Sequence, residues 1–287
     1  MLRLICLLGA LAMLLPPAGV AQQAQEPAPL AEAGPLEDRL WDSLRMPELM
    51  EIMREEVLAE AAGLDLGPAG PGGDGWLASV EAIHAPERMA SIFREALERA
   101  IRDVEPALLG ESVAFYETGL GRRLVGLESS ARRAMLDEGA EEDARNAVIT
   151  ATRQQAPRAA QIDRLVEAAD LIEMNVAGAM NAAVAFARGF DAGGGYPVTV
   201  PEAQILADAW AQEPEIRAET EGWMRAYLML ALSPLSDAEI EEYIAFAVSD
   251  AGQALSVAMF AGFDQLFAQT SREMGMAAAR QLQGRDL

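Results

Sequence analysis

The single histidine of the chain is the first residue to consider for metal chemistry. His84 follows Glu81 by three residues, and Glu-x-x-His is the spacing with which carboxylate-bridged di-iron proteins place two ligands on one helix. Such centres use the motif on two helices and add two further glutamates, so one histidine cannot complete the set. Because His84 also stands shortly before Pro86, where helices tend to end, we predict a surface or helix-end histidine and no metal or other cofactor.

Other catalytic motifs are equally incomplete. Cys6 is the only cysteine, so Cys and His are too few for a zinc site. Residues 70–75 fit Gly-x-Gly-x-x-Gly, but they belong to a Pro- and Gly-rich linker and do not follow the strand that a phosphate-binding loop needs. No Gly-x-Ser-x-Gly elbow marks a nucleophilic serine. The 45 acidic residues leave a carboxylate-based hydrolase open, although no spacing selects a pair.

Three methionines share one face of an early predicted helix. Met46, Met50 and Met53 stand at positions i, i+4 and i+7. Thioether clusters bind Cu(I), because soft ligands select that ion. Helical spacing also places methionines in an ordinary apolar core or along an adaptable binding groove. We predict core packing and keep the groove as the alternative.

The chain is strongly acidic. Its 22 basic residues, all of them arginine, stand against 45 acidic ones, and the net charge is −23 at neutral pH. This field repels nucleic acids and disfavours binding to anionic lipid surfaces. A cationic partner is compatible with it, and solubility by itself is a sufficient reason for the charge.

The first 21 residues are typical of a cleaved export signal. Arg3 provides the basic start, residues 4–15 are uncharged and apolar, and residues 19–21 (Gly-Val-Ala) provide the small side chains of a cleavage site. The apolar segment is shorter than the about 20 residues that a membrane span requires. We predict cleavage after Ala21, a periplasmic location, no transmembrane segment in the mature protein, and a disordered leader over residues 22–43.

The strongest pattern in the chain is an internal repeat. Residues 92–127 align without a gap with residues 223–258, and nine of the 36 aligned positions are identical. None of the nine identities is His, Cys, Asp or Ser, so the repeat predicts architecture and not chemistry. The residues that we assign to the repeat motif are Phe115, Tyr116, Thr118, Gly121, Leu124, Phe246, Ser249, Gly252 and Leu255.

Apolar residues at helical spacing predict an all-α fold. We expect two tandem related helical bundles, over residues 44–156 and 157–287, with Pro86 and Pro106 in the first turns of helices. The uncharged stretch 174–187 is apolar on all sides, which is typical of a buried helix, and we predict that both bundles pack against it.

Four residues of the repeat motif have predicted backbone roles. Thr118 and Ser249 each precede a helical apolar pattern, and a hydroxyl in that place is typical of a helix N-cap. Gly121 and Gly252 stand inside helical patterns, where glycine is normally unfavourable. We therefore predict that another helix comes close to each of these glycines.

The segment around Phe115 resembles a known family. Residues 115–124 read Phe-Tyr-Glu-Thr-Gly-Leu-Gly-Arg-Arg-Leu, which is similar to the Phe-Tyr-x-Ser/Thr-x-x-Gly-x-x-Leu segment of the exported bacterial domain-of-unknown-function family 2059. The second copy departs from this pattern, since Ala247 replaces the tyrosine. The resemblance implies a helical fold and export, and it brings no catalytic residues.

Together these observations predict a non-catalytic exported protein that binds a partner or maintains the envelope. The alternative is a chaperone-like protein that holds a hydrophobic ligand or client in a Met- and Ala-lined groove between the two units. A hydrolase with an unrecognised carboxylate site comes third. An apolar groove would favour the ligand binder, whereas buried carboxylates converging on His84 would favour an enzyme.

Overall fold

Helices form the architecture of the chain. The computed structural model describes residues 35–63 and 74–283, and no strand occurs among them. The helices are α1 (Leu36–Ser43), α2 (Met46–Gly63), α3 (Asp74–Ile83), α4 (Pro86–Ala100), α5 (Pro106–Glu117), α6 (Gly119–Ala134), α7 (Glu138–Arg153), α8 (Pro157–Ala168), α9 (Leu171–Ala192), α10 (Glu202–Ala231), α11 (Asp237–Ala247) and α12 (Asp250–Gln283). The all-α prediction is confirmed.

Local sequence signals set the starts of several helices. Pro86 and Pro106 stand in the first turns of α4 and α5, as predicted, because a proline there loses no helical hydrogen bond. The side chain of Asp137 accepts a hydrogen bond from the backbone of α7 and caps that helix. Ser236 and Glu239 form a reciprocal capping box at the start of α11.

The predicted disordered leader extends too far into the chain. Residues 36–43 form α1, which buries Leu40 and Trp41 against the bundle. The guanidinium carbon of Arg94 lies 4.1 Å from the centre of the Trp41 ring, and Arg94 also donates a hydrogen bond to Asp38. Apolar burial and this cation–π contact hold α1 in place. The remaining leader and the predicted signal fall within residues 1–34, outside the described residues.

One apolar core runs through both predicted units. Helices α3 and α4 of the first unit pack on α12 of the second, and α10 of the second unit packs on α6 and α7 of the first. A single cluster of buried apolar side chains joins residues from Leu40 to Ala278. The boundary predicted at residue 157 therefore separates two chain segments, which we call the first and second halves, and not two cores.

The helix ends follow the repeat that the sequence shows. In the first half α4 ends at Ala100, α5 begins at Pro106 and α6 begins at Gly119. The corresponding ends in the second half, each 131 residues later, are Ala231, Asp237 and Asp250. Helix α10 covers the positions of both α3 and α4, and α12 covers those of both α6 and α7. The second half thus uses fewer and longer helices.

Before α3 in the first half and before α10 in the second, the halves correspond at an offset of 125 residues. Arg45 and Asp170 immediately precede α2 and α9, and both have left-handed backbone conformations, with φ of 49° and 51°. Equivalent ion pairs also join equivalent helices: Arg94 donates to Asp38 of α1 at 2.8 Å, and Arg225 donates to Asp163 of α8 at 2.9 Å. Helices α1 and α2 thus correspond to α8 and α9 in chain order, in the conformation of the residue before α2 and α9, and in one ion pair.

Helix α9 lies against α12 over much of its length. A Cβ atom on Gly189 would stand 1.9 Å from the carbonyl oxygen of Arg272, so the two backbones touch at this point. The prediction that residues 174–187 are buried on all sides is wrong. Helix α9 packs on α10 and α12, while Ala177 and Asn181 face solvent.

Gly121 and Gly252 lie where α6 and α12 turn back on the preceding helix. A Cβ atom would stand 2.3 Å from the carbonyl oxygen of Phe115 in the first case and 2.2 Å from that of Phe246 in the second. The predicted close approach is present at both glycines, and the neighbour is the end of the preceding helix.

We expect Gly121→Ala to lower the free energy of unfolding by about 1–3 kcal/mol, because the added methyl group forces the α5–α6 turn to open. Gly110→Ala is the matched control, since Gly110 lies inside α5 and a Cβ there meets nothing within 4 Å. Alanine favours a helix over glycine, so this control should unfold at an equal or higher temperature. Thermal unfolding followed by circular dichroism measures both effects. Equal melting temperatures for the two variants would contradict the packing role of Gly121.

Candidate functional site

The repeat motifs of the two halves contact each other. The rings of Phe115 and Phe246 stack with their centres 3.8 Å apart and an interplanar angle of 15°. Tyr116 stands edge-on to both rings, at 5.0 and 5.2 Å. Leu124 and Leu255 are buried. Equivalent residues thus pack against each other, which gives the motif a role in joining the halves.

Thr118 and Ser249 occupy equivalent positions but use their hydroxyl groups differently. The Oγ atom of Ser249 accepts a hydrogen bond of 3.4 Å from the backbone N–H of Gly252, which is the predicted N-cap contact. Thr118 instead donates from Oγ1 to the carbonyl oxygen of Ala114 at 2.9 Å. The predicted capping contact is wrong for Thr118, because its hydroxyl serves a carbonyl group at the end of α5.

His84 stands at a helix end, as predicted, but it is buried and not on the surface. Its Nδ1 atom lies 2.9 Å from the carbonyl oxygen of Val80, and burial lowers the pKa of the imidazole. Glu81 does not accompany it, since that carboxylate pairs with Arg54. Over residues 35–63 and 74–283, no group of three or more His, Cys, Asp and Glu side chains is placed to hold a metal ion.

The three methionines of α2 belong to the core. Met46, Met50 and Met53 each retain at most 1% of their accessible surface. The core-packing prediction for this stripe is confirmed.

A buried polar cluster links the halves close to the aromatic stack. It consists of Glu56 on α2, Glu128 and Arg132 on α6, Tyr227 on α10 and Tyr243 on α11. Arg132 donates from Nε and Nη2 to the two carboxylate oxygens of Glu56, at 2.6 and 2.8 Å, in a bidentate pair that is almost fully buried. The hydroxyl of Tyr243 donates to Glu128. These contacts tie α2 to α6 and α6 to α11.

Burial controls the proton of Glu128. It raises the pKa of this carboxyl group to about 8, and the hydrogen bond from Tyr243 only partly opposes the shift. Burial and the neighbouring Glu128 raise the pKa of Tyr243, so the phenol keeps the proton that it donates. The cluster therefore carries a carboxyl group that is largely protonated at neutral pH.

A second site is an apolar groove on the outside of the bundle, between α9 and α12. Its volume is about 320 Å³. The side chains of Phe263 and Phe267 are buried in its floor, and Val257 stands exposed at its rim. The groove is lined by Met174, Asn175, Ala177, Gly178, Ala179, Asn181, Val257, Phe260, Ala261, Phe263, Asp264 and Phe267. We call it the α9–α12 groove.

The polar groups of the α9–α12 groove are few. Asn181 donates from Nδ2 to Asp264 at 2.8 Å, which joins the two helices across the groove. Asn175 donates to the carbonyl oxygen of Leu171 within its own helix. The remaining lining is almost wholly apolar, and this is the usual composition of a site that binds a ligand by burial.

Sequence patterns did not reveal either site. Glu128 and Arg132 are four residues apart on one helix, a spacing that is common for exposed pairs, and their buried partners Glu56 and Tyr243 come from distant helices. The groove lies on the stretch 174–187, whose small uncharged residues suggested complete burial. The only sequence signal for the groove is the run of small residues at 177–179.

No single helix in the described part of the chain is long and apolar enough to cross a membrane. Helices α11 and α12 satisfy the length and composition test only as a pair, and they are bent by 74° where they join. Comparison of the chain with protein-family models, curated proteins and solved structures finds no match.

We expect Glu128→Gln to remove a specific pH dependence of stability. The folded protein holds the Glu128 proton up to about pH 8, whereas the ordinary value is 4.5. The contribution of Glu128 to the free energy of unfolding is therefore complete below pH 4.5. It is lost progressively as the pH rises from 4.5 through about 8. The loss amounts to about 1.4 kcal/mol per pH unit within this window.

Urea unfolding at half-unit steps from pH 5 to pH 9 measures the effect. The difference between wild type and E128Q isolates Glu128 from the titratable groups that act on it, which are Tyr227 and Tyr243. Glu142→Gln is the control, because Glu142 is exposed on α7 and should leave the profile unchanged. Parallel profiles for wild type and E128Q would show that Glu128 does not hold its proton in the folded state.

Proposed function

We propose that the protein is an exported, non-catalytic binding protein, and that the α9–α12 groove receives an apolar group of its ligand or partner. The observation that carries this proposal is an open groove with an apolar lining on an otherwise strongly acidic chain. Exposed apolar concavities of this kind mark binding surfaces, because an unoccupied one costs free energy in water.

Small side chains create the α9–α12 groove. Residues 177–179 are Ala, Gly and Ala, and Ala261 faces them from α12. A Cβ atom on Gly178 would meet nothing within 4 Å, so space is open directly above the backbone of α9. A core helix normally fills such space with larger side chains. The open volume therefore suits an external occupant.

The residues in the floor of the α9–α12 groove pack against the core. The ring of Phe263 in its floor packs edge-on against Phe93 of α4, with the ring centres 4.8 Å apart. Phe263 also stacks on Phe267 one turn along α12. This aromatic floor belongs to the core that joins the halves, so an occupant meets a preformed surface and little binding free energy is spent on ordering it.

The buried polar cluster supports a structural role in place of a catalytic one. Both carboxylate oxygens of Glu56 are taken by Arg132, and Glu128 accepts from Tyr243. Buried charges with these partners hold helices in register, since removal of either partner leaves the other uncompensated.

The proposal also includes export of the protein and duplication of one helical unit. Export is supported by the basic, apolar and small-residue segments of residues 1–21 and by the resemblance to the exported family 2059. Duplication of one helical unit is supported by the helix ends that recur 131 residues apart and by the equivalent pairs Arg94–Asp38 and Arg225–Asp163.

We expect the protein to be recovered from a bacterial periplasmic extract without its first 21 residues. Intact-mass analysis after expression of the full chain in a Gram-negative host should give a mature N-terminus at Gln22. A variant that lacks residues 2–21 should stay in the cytoplasm. Recovery of the full-length chain with Met1 in the membrane fraction would contradict cleavage and export.

We expect Gly178→Met to block the α9–α12 groove without harming the fold. The new side chain enters open space, and methionine favours a helix over glycine, so the melting temperature should not fall. Binding of the neutral apolar dye Nile red, followed by its fluorescence, should weaken about tenfold or more.

Gly110→Met is the matched control for this experiment. It makes the same change on α5, where a Cβ also meets nothing within 4 Å, and it should leave dye binding unchanged. Equal dye affinity in wild type and G178M, or no dye binding to the wild type, would contradict the groove as a binding site.

A further inference from the structure

We infer that the α9–α12 groove binds a basic amphipathic helix of a partner protein, which inserts large aliphatic side chains beside an arginine or lysine. This inference rests on the proposed function, because it specifies the chemistry of the occupant. It comes from a comparison of the groove with the equivalent place in the first half of the same chain.

The equivalent place is the seam between α2 and α6. Helix α2 corresponds to α9 at an offset of 125 residues, and α6 corresponds to the first half of α12 at an offset of 131. The two helix pairs therefore correspond by position in the chain, and α9 lies against α12 over a longer stretch than α2 lies against α6. Ion pairs of Arg132 with Glu56 and of Arg133 with Glu48 bridge α6 and α2, whereas the space between α9 and α12 is open as the α9–α12 groove.

Large aliphatic side chains distinguish the two seams. In the first half Ile52 and Met53 are almost completely buried, with 0% and 1% of their surface exposed. The corresponding residues, Ala177 and Gly178, line the groove. At these positions α9 thus lacks the two large apolar side chains that α2 carries, and the proposed occupant supplies such side chains.

Cations also distinguish the two seams. In the first half Arg133 of α6 donates a hydrogen bond to Glu48 of α2 at 2.9 Å and approaches Glu55 at 3.5 Å. One cation therefore bridges α6 and α2 at this position. The residue that corresponds to Arg133 is Asp264. The second seam therefore presents an anion where the first presents a cation.

Asp264 is available for an external cation. It is exposed, and its partner across the groove is the neutral amide of Asn181. Among residues 35–63 and 74–283, no arginine stands within ion-pair distance of Asp264. The negative charge of the whole chain adds long-range attraction for a basic partner.

The shape of the groove favours a helix as the occupant. It runs between two long helices, and an amphipathic helix presents apolar side chains at positions i and i+4 to a groove of this form. A fatty acid is disfavoured because its carboxylate would meet Asp264, and like charges at a binding site discriminate strongly against a ligand.

Two synthetic peptides test this inference on the mature full chain. Both are 16-residue Ala/Gln helices with leucines at positions i and i+4, and they differ only in carrying three arginines or three glutamates beside the leucines. We expect the arginine peptide to bind at least about tenfold more tightly in 50 mM NaCl by fluorescence anisotropy, and to lose part of this advantage in 300 mM NaCl.

Protein variants locate the effect. Asp264→Arg should reverse the preference so that the glutamate peptide binds better, and Gly178→Met should weaken the binding of both peptides. Asp143→Arg is the matched control, because it makes the same charge change at an exposed position of α7 and should preserve the wild-type preference. These results together would establish a basic helix as the groove's ligand class.

Other outcomes separate this inference from the proposed function. Equal affinity for both peptides, lost in Gly178→Met, would overturn the charge preference and leave the groove as an apolar binding site. Binding of dodecyltrimethylammonium in the groove with no binding of either peptide would overturn the helix as occupant. An identical loss of preference in Asp264→Arg and Asp143→Arg would show that net charge, and not Asp264, selects the ligand.

Discussion

The joint between the two halves is the constraint on which the rest of the structure depends. At its centre the Phe115 and Phe246 rings stack on each other, with the buried pairs Arg132–Glu56 and Tyr243–Glu128 close by. Such ionic and polar groups are unfavourable in a core unless every partner is in place, so they make the joint specific while the surrounding apolar side chains make it stable. The helices of each half are thereby positioned by the other half, and the main cluster of buried apolar side chains draws on both.

This reciprocal packing explains why α9 and α12 can carry a groove. Helix α12 uses one side to pack on α3 and α4 across the joint, and Phe263 at the groove floor is anchored there by Phe93. Further along, the backbone of α9 touches α12 at Gly189. Because these contacts already fix both helices, the residues between them are free to be small, and an open groove does not loosen the bundle.

Much of the fold was predictable because its signals are local. Prolines at 86 and 106 begin helices by removing a donor that the first turn does not use, and apolar spacing marks the buried faces. The repeat was equally visible, since aligned residues such as Phe115 and Phe246 recur at one offset. Helix α1 was not predicted from the sequence. It is stabilised by Arg94 and by core residues that are distant in the chain, and not by its own composition.

The two sites were not predictable for a physical reason that they share. Leu124 and Ala131 share the buried face of α6 with Glu128, but the hydrogen-bond partner of Glu128, Tyr243, lies 115 residues away in the chain, and no local pattern identifies it. The groove is open because no side chain among the described residues covers Ala177 and Gly178. A run of small residues is compatible both with tight helix packing and with a cavity, and only the tertiary arrangement decides between them.

The contrast between Arg133 and Asp264 indicates how one architecture can serve two purposes. In the proposed function, a duplicated helical unit starts with two equivalent seams, of which one is needed for binding. In the first half, the ion pairs of Arg132 and Arg133 join α6 to α2. In the second half, Ala177, Gly178 and Asp264 line the open α9–α12 groove. The proposal thus assigns recognition to the helix pair of the second half, and the core that both halves share supports that pair.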